Sequence, residues 1–96
     1  MENNIVRVEC VVRGRVQLVM FRDFATRKAR GLDIVGRVKN LDDGSVSVVA
    51  EGDQGNISHF LELLHKGSLL AKIESIDIHY RKPTGEFNDF KIDYGN

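Results

Sequence analysis

The chain has 96 residues, with Lys plus Arg and Asp plus Glu at 14 each. That length is read as one domain, 1–96, with one core and no room for a second. The balanced charge argues against a nucleic-acid binder, which carries a basic excess, and the single cysteine, Cys10, excludes an intrachain disulfide.

The segment from Met1 to Asn4 is polar and contains an acid, unlike a secretory leader. Together with the lone cysteine this gives a cytoplasmic location as the expectation. The apolar runs are only a few residues long, so no membrane span is expected. From residue 5 to 13 the pattern alternates. Val6, Val8, Cys10 and Val12 fall on one face, and Ile5, Arg7, Glu9, Val11 and Arg13 on the other. Period two with β-branched residues predicts a half-buried strand. Cys10 then faces the core as a small hydrophobe rather than a nucleophile.

The period changes over residues 21 to 32. Phe21, Phe24, Ala25, Ala29 and Leu32 make one apolar helical stripe, with basic residues in the last turn and Gly31 placed to end it. Two strands follow, over 34–41 and 45–51, joined by Leu41-Asp42-Asp43-Gly44, a hairpin signal. Ile34, Gly36, Val38 and Asn40 share one face. A second helix presents Ile57, Phe60, Leu61 and Leu64, with Asp53 or Asn56 to cap it and Gly67 to stop it. Residues 73–81 read as a strand with Ile76, Ile78 and Tyr80 inward. A short closing strand holds Phe90, Ile92 and Tyr94. This order predicts an α+β, ferredoxin-like βαββαβ sandwich: an antiparallel sheet with both helices on one face and water on the other.

Sites of several common kinds are missing. No glycine-rich nucleotide loop is present, and His59, His65 and His79 lack metal-ligand spacing, so no metal site is expected. The informative segment is Gly14-Arg15-Val16-Gln17-Leu18-Val19-Met20-Phe21-Arg22, between the first strand and the first helix. No Ser, Thr, Asp or Asn precedes Phe21, so the first helical amides lack a side-chain partner. Arg22 lies in the first turn, where the helix dipole disfavours a cation. Either an anion occupies the helix start, held by amides and a guanidinium fork, or water caps the amides and Arg22 pairs with an acid such as Asp23. Asn40 ends its strand on the helix side, beside a turn already supplied with two Asp and a Gly. Its amide is therefore available for a water or a substrate oxygen.

These residues resemble the signature of acylphosphatases. The likeness lies in Gly14-Arg15-Val16-Gln17 with Val19, Phe21 and Arg22, and in Gly36-Arg37-Val38-Lys39-Asn40. It continues in Asp43-Gly44-Ser45-Val46, Val49-Ala50-Glu51-Gly52 and Phe90-Lys91-Ile92. The resemblance implies hydrolysis of a small acyl phosphate to a carboxylate and phosphate, by water attack at phosphorus, with no metal or other cofactor. It implies that Arg22 binds the phosphoryl oxygens, that amides of Arg15, Val16, Gln17, Leu18, Val19 and Met20 cradle them, and that Asn40 orients the water. The family's pattern has glycine where this chain has Leu18, while Met20 stands at a variable position. If the cradle requires positive φ at Leu18, the strain is about 1–2 kcal/mol.

Two other readings compete. One is a non-catalytic phosphate-binding or regulatory module with its cradle degraded at Leu18. The other is a single-strand RNA binder, which the lack of an aromatic pair on the outward positions of the first strand disfavours. Small size and balanced charge make a monomer the default.

Overall fold

The computed structural model describes residues 4–95, so Met1, Glu2 and Asn3 of the segment read above for a leader lie outside it. The elements are β1 (Ile5–Arg15), α1 (Phe21–Gly31), β2 (Val35–Asn40), β3 (Val46–Asp53), α2 (Gln54–Lys66), β4 (Lys72–Arg81) and β5 (Phe90–Ile92). They form one sheet of order β4-β1-β3-β2-β5.

The first four strands pair antiparallel, as the alternating patterns predict. The short β5 adds a fifth, parallel to β2, with Gly36 opposite Phe90 and Val38 opposite Ile92. The sheet is therefore mixed. Cross-strand rows explain the core. Val8 lies opposite Ala50, which lies opposite Gly36. Cys10, Val48 and Val38 form the next row, and Val12, Val46 and Asn40 the third. The apolar members of these rows are buried with Phe21, Ala25 and Ala29 of α1 and Ile57, Phe60, Leu61 and Leu64 of α2. Both helices thus cover one face. Gly36 has φ of 150°, and a Cβ there would fall 1.9 Å from the Val49 carbonyl oxygen, so only glycine fits between the strands.

α2 is capped by Asp53, whose Oδ2 accepts from the amides of Gly55 and Asn56; Asn56 is not the cap. α1 runs through Gly31, which is its last helical residue rather than its stop. The chain turns at Leu32 and Asp33, and Asp33 takes the left-handed φ of 55°. Two apolar expectations at the sheet edges fail. Tyr80 is 53% exposed because β4 is an edge strand with a neighbour on one side only, and Tyr94 lies beyond the end of β5 and is 74% exposed. Cys10 is buried, and burial first, then the charge of Glu9, pushes its thiol up to about 12.

The face opposite the helices is not fully open to water. The connection from β4 to β5 must cross from one edge of the sheet to the other. On the way, the amides of Thr84 and Gly85 donate to the Glu51 carboxylate at 2.9 and 3.1 Å. Glu51 also binds the Arg7 guanidinium at 2.7 Å, and Phe87 lies against Arg7, 5.6 Å from guanidinium carbon to ring centre. Arg7 and Glu51 are opposite one another in the β1–β3 register and both are buried. Alternation marks them as solvent-facing; the crossing segment 82–89 buries them.

Candidate active site

The β1–α1 loop is held by its apolar residues. Val16 and Phe21 are fully buried and Val19 packs on the core, while Leu18 and Met20 point to solvent. Arg15 is still in β1, opposite Lys72, so the loop proper begins at Val16. Two further bonds fix it. The Gln17 side-chain amide donates to the carbonyls of Leu41 and Ser45 at 2.8 and 2.9 Å, and the Ser68 hydroxyl donates to the Val19 carbonyl at 3.0 Å. The loop is thereby tied to the β2–β3 turn on one side and to the α2–β4 turn on the other.

Within this loop φ is positive at Leu18 (62°) and Met20 (61°), but at neither Gln17 nor Val19. Backbone of alternating hand turns successive N–H groups to one concave side, a geometry that binds anions. Met20 is also the N-cap of α1 and supplies no side-chain bond, so the helix start adds unpaired amides and the positive end of its dipole. Leu18 holds the left-handed conformation despite its Cβ. The strain of about 1–2 kcal/mol is carried by the fold. Met20 needs the same conformation, which its variable position in the family pattern does not announce. Leu18 is 99% exposed, so its side chain has no packing to lose. Leu18→Gly is therefore expected to be neutral or stabilising by up to about 1 kcal/mol in urea unfolding, strain relief being offset by added chain entropy. A clear loss of stability would show that the left-handed geometry carries no strain.

Arg22, the second residue of α1, points its guanidinium over the Tyr94 ring, 5.1 Å from the ring centre. Asp23 pairs with Arg27 at 3.0 Å, and among the described residues Arg22 has no carboxylate partner. The alternative in which Asp23 neutralises Arg22 is not realised. A cavity of about 290 Å³ is lined by Val16, Leu18, Met20, Phe21, Arg22, Asp23, Ile92 and Tyr94.

Asn40 does not line this cavity. It ends β2 in the helix-side row with Val12 and Val46. Its Oδ1 is buried and has no hydrogen-bond partner among the described residues. An unpaired buried acceptor costs about 1–3 kcal/mol, so a donor from a ligand or water is worth that much there. Asn40 and Gly95 line a separate cavity of about 250 Å³. β5 runs parallel to β2, and the residues after it reach both cavities: Tyr94 lines the one with Arg22 and Gly95 the one with Asn40.

Sequence reading missed Ser68, the bracing role of the Gln17 side chain, and Tyr94 as the support of Arg22. An aromatic two residues past an apolar β5 position carries no signal other than core. The histidines stay outside the site: His65 uses Nδ1 on the Leu61 carbonyl of its own helix.

The fold is that of a ferredoxin-like α+β protein, with a concave loop of alternating hand leading into its first helix. A model of the acylphosphatase family matches residues 8–92. The chain is 42% identical over 86 residues to the acylphosphatase of Methylococcus capsulatus, covering 90% of this chain and 94% of that one. It is 38% identical over 86 residues to that of Salinibacter ruber, covering 90% of each. The crystal structure of acylphosphatase from Bacillus subtilis superposes with a TM-score of 0.90 at 34% identity, over 93% of this chain and 99% of that one. The chain belongs to the acylphosphatase family.

Proposed function

We propose that this chain hydrolyses acyl phosphates through Arg22, the amides of the loop ending at Met20, and Asn40. The observation that carries the reading is the meeting of an uncapped helix start, a loop of alternating hand and an arginine without a carboxylate partner among the described residues. Each favours an anion, and an acyl phosphate presents one. The guanidinium fork and the amides hold the non-bridging oxygens and stabilise the charge they carry as the bond to the carboxylate loosens. The Asn40 Oδ1 accepts a hydrogen bond from the attacking water and fixes its lone pair toward phosphorus. The water oxygen forms the new bond to phosphorus. The P–O bond to the acyl group breaks, and its electron pair leaves on the carboxylate. One proton of the water remains on the phosphate product and the other passes to solvent or to a phosphate oxygen. A carboxylate is a stable leaving group at neutral pH, so no general acid is needed. Positioning and charge do the chemistry, in keeping with phosphoryl transfer generally, and no step calls on a metal. The chain acts in this reading as one catalytic domain, monomeric and cytoplasmic, on a small molecule rather than a nucleic acid.

The test is release of phosphate from acetyl phosphate, with and without chelator, alongside a phosphate titration followed by backbone amide shifts. Turnover insensitive to chelator, with shifts centred on residues 16–22, is the expected result. Binding without turnover would favour the non-catalytic module, and shifts that spare 16–22 would remove the site from the loop. Asn40→Ala is expected to leave inhibition by inorganic phosphate within about threefold while lowering kcat by about 100-fold, since Asn40 serves the chemical step. Equal losses in both would make Asn40 a phosphate ligand instead.

A further inference from the structure

Holding the phosphoryl group leaves the apolar part of the site unused. Seven large hydrophobic side chains are exposed on the described residues; three of them lie at the Arg22 cavity, and two more, Leu69 and Leu70, follow Ser68 in the turn bonded to the loop. Leu18, Met20 and Tyr94 line the cavity that contains Arg22. The Ser68–Val19 hydrogen bond brings the turn bearing Leu69 and Leu70 against the loop bearing Leu18 and Met20. Single exposed hydrophobics need no explanation, but several beside one charged cavity mark a candidate binding surface.

The position of the group selects its occupant. A phosphoryl group on the loop amides fills only part of the cavity of about 290 Å³. The acyl group bonded to it has to extend through the mouth, and the walls there are Leu18 and Met20. Each projects from a left-handed residue of the cradle itself, so the strained backbone that forms the anion seat also turns these side chains outward. We infer that Leu18, Met20 and Leu69 form an apolar seat for the acyl group, selecting acyl phosphates with an extended apolar chain over those with a short one. The inference rests on the site reading above.

The experiment compares kcat/KM for acetyl phosphate and hexanoyl phosphate on the full-length protein. Their carboxylate leaving groups are chemically matched, so the ratio reports on the chain. Wild type is expected to favour hexanoyl phosphate by about tenfold or more. Leu69→Asn alters a side chain that is 97% exposed and takes no part in holding phosphate. It is expected to leave acetyl phosphate unchanged and to lower the rate on hexanoyl phosphate several-fold. Leu18→Asn keeps a residue that tolerates the left-handed conformation and should bring the ratio close to one. Hydrolysis of both substrates with equal efficiency in wild type, inhibited by inorganic phosphate, would overturn the seat and leave the phosphoryl site standing. A preference for hexanoyl phosphate that survives both substitutions would also overturn the seat. Failure to turn over either substrate would overturn the hydrolase reading and the seat with it.

Discussion

Arg22→Gln is expected to lower kcat for acetyl phosphate by at least about 100-fold and to abolish measurable inhibition by inorganic phosphate. Arg22 brings a full positive charge to the start of α1, where the exposed amides and helix dipole already disfavour a cation. A bound anion would offset that electrostatic cost, so in the proposed reading the charge serves the phosphoryl group rather than the fold. Its guanidinium is stacked on Tyr94 and has no carboxylate partner among the described residues, so its planar fork is oriented before substrate arrives. Removing one preorganised charged donor typically costs two to three orders of magnitude. Glutamine keeps the length and part of the hydrogen bonding but neither the charge nor the two-point geometry. Folding should be unaffected, since Arg22 is only half-buried and makes no ion pair among the described residues. A folded Arg22→Gln protein with a near-normal rate would remove Arg22 from the reaction. Arg22→Lys sharpens the test: it restores the charge without the fork, and should recover only a small part of the loss.

Much of this site is legible in the sequence because it violates local rules. A helix without a capping residue, an arginine in its first turn and an asparagine on a core-facing row are each unfavourable in isolation. Such departures gather where a ligand supplies the missing partner. The parts that escaped reading are those in which tertiary context overrides a local pattern. Alternation places Arg7 and Glu51 in water, and only the crossing segment buries them, through amides of Thr84 and Gly85 that are 33 and 34 residues from Glu51. The parallel pairing of β5 with β2 is set by where that segment lands, and three residues of apolar pattern do not encode it. Tyr94 inherits the same dependence. Nothing in a methionine side chain announces a left-handed φ, so Met20 was hidden while Leu18 stood out through the family's glycine.

Glu51→Gln is expected to destabilise the protein by about 3 kcal/mol at pH 7, at the lower end of the range for breaking a buried ion pair. Glu51 has little exposed surface, and burial by itself would raise its carboxyl. The Thr84 amide, the Arg7 guanidinium, the Gly85 amide and the Thr84 hydroxyl outweigh burial and hold it at about 2, against 4.5 for an ordinary glutamate. The lower end applies because Arg7 keeps Glu9 at 2.9 Å and Glu86 at 3.3 Å when Glu51 is neutralised. A depressed folded-state pKa stabilises fully above the unfolded value and ceases to do so as pH falls through the folded one. The contribution is therefore complete above about pH 4.5 and lost progressively toward pH 2. Urea unfolding of wild type and Glu51→Gln should show a gap at pH 7 that narrows over this window, the wild type losing stability while the variant lacks this dependence. A gap of constant size down to pH 2 would assign the effect to packing rather than charge. Replacing the pair together, as Arg7→Met with Glu51→Leu, separates the ion pair from the strap it holds. A buried pair alone is often replaceable by apolar residues at little cost. Here the amides of Thr84 and Gly85 would lose their acceptor, and those amides position the chain that runs on into β5 and Tyr94. The double variant should therefore recover part of the stability yet still lose activity, because Arg22 depends on Tyr94 for its support.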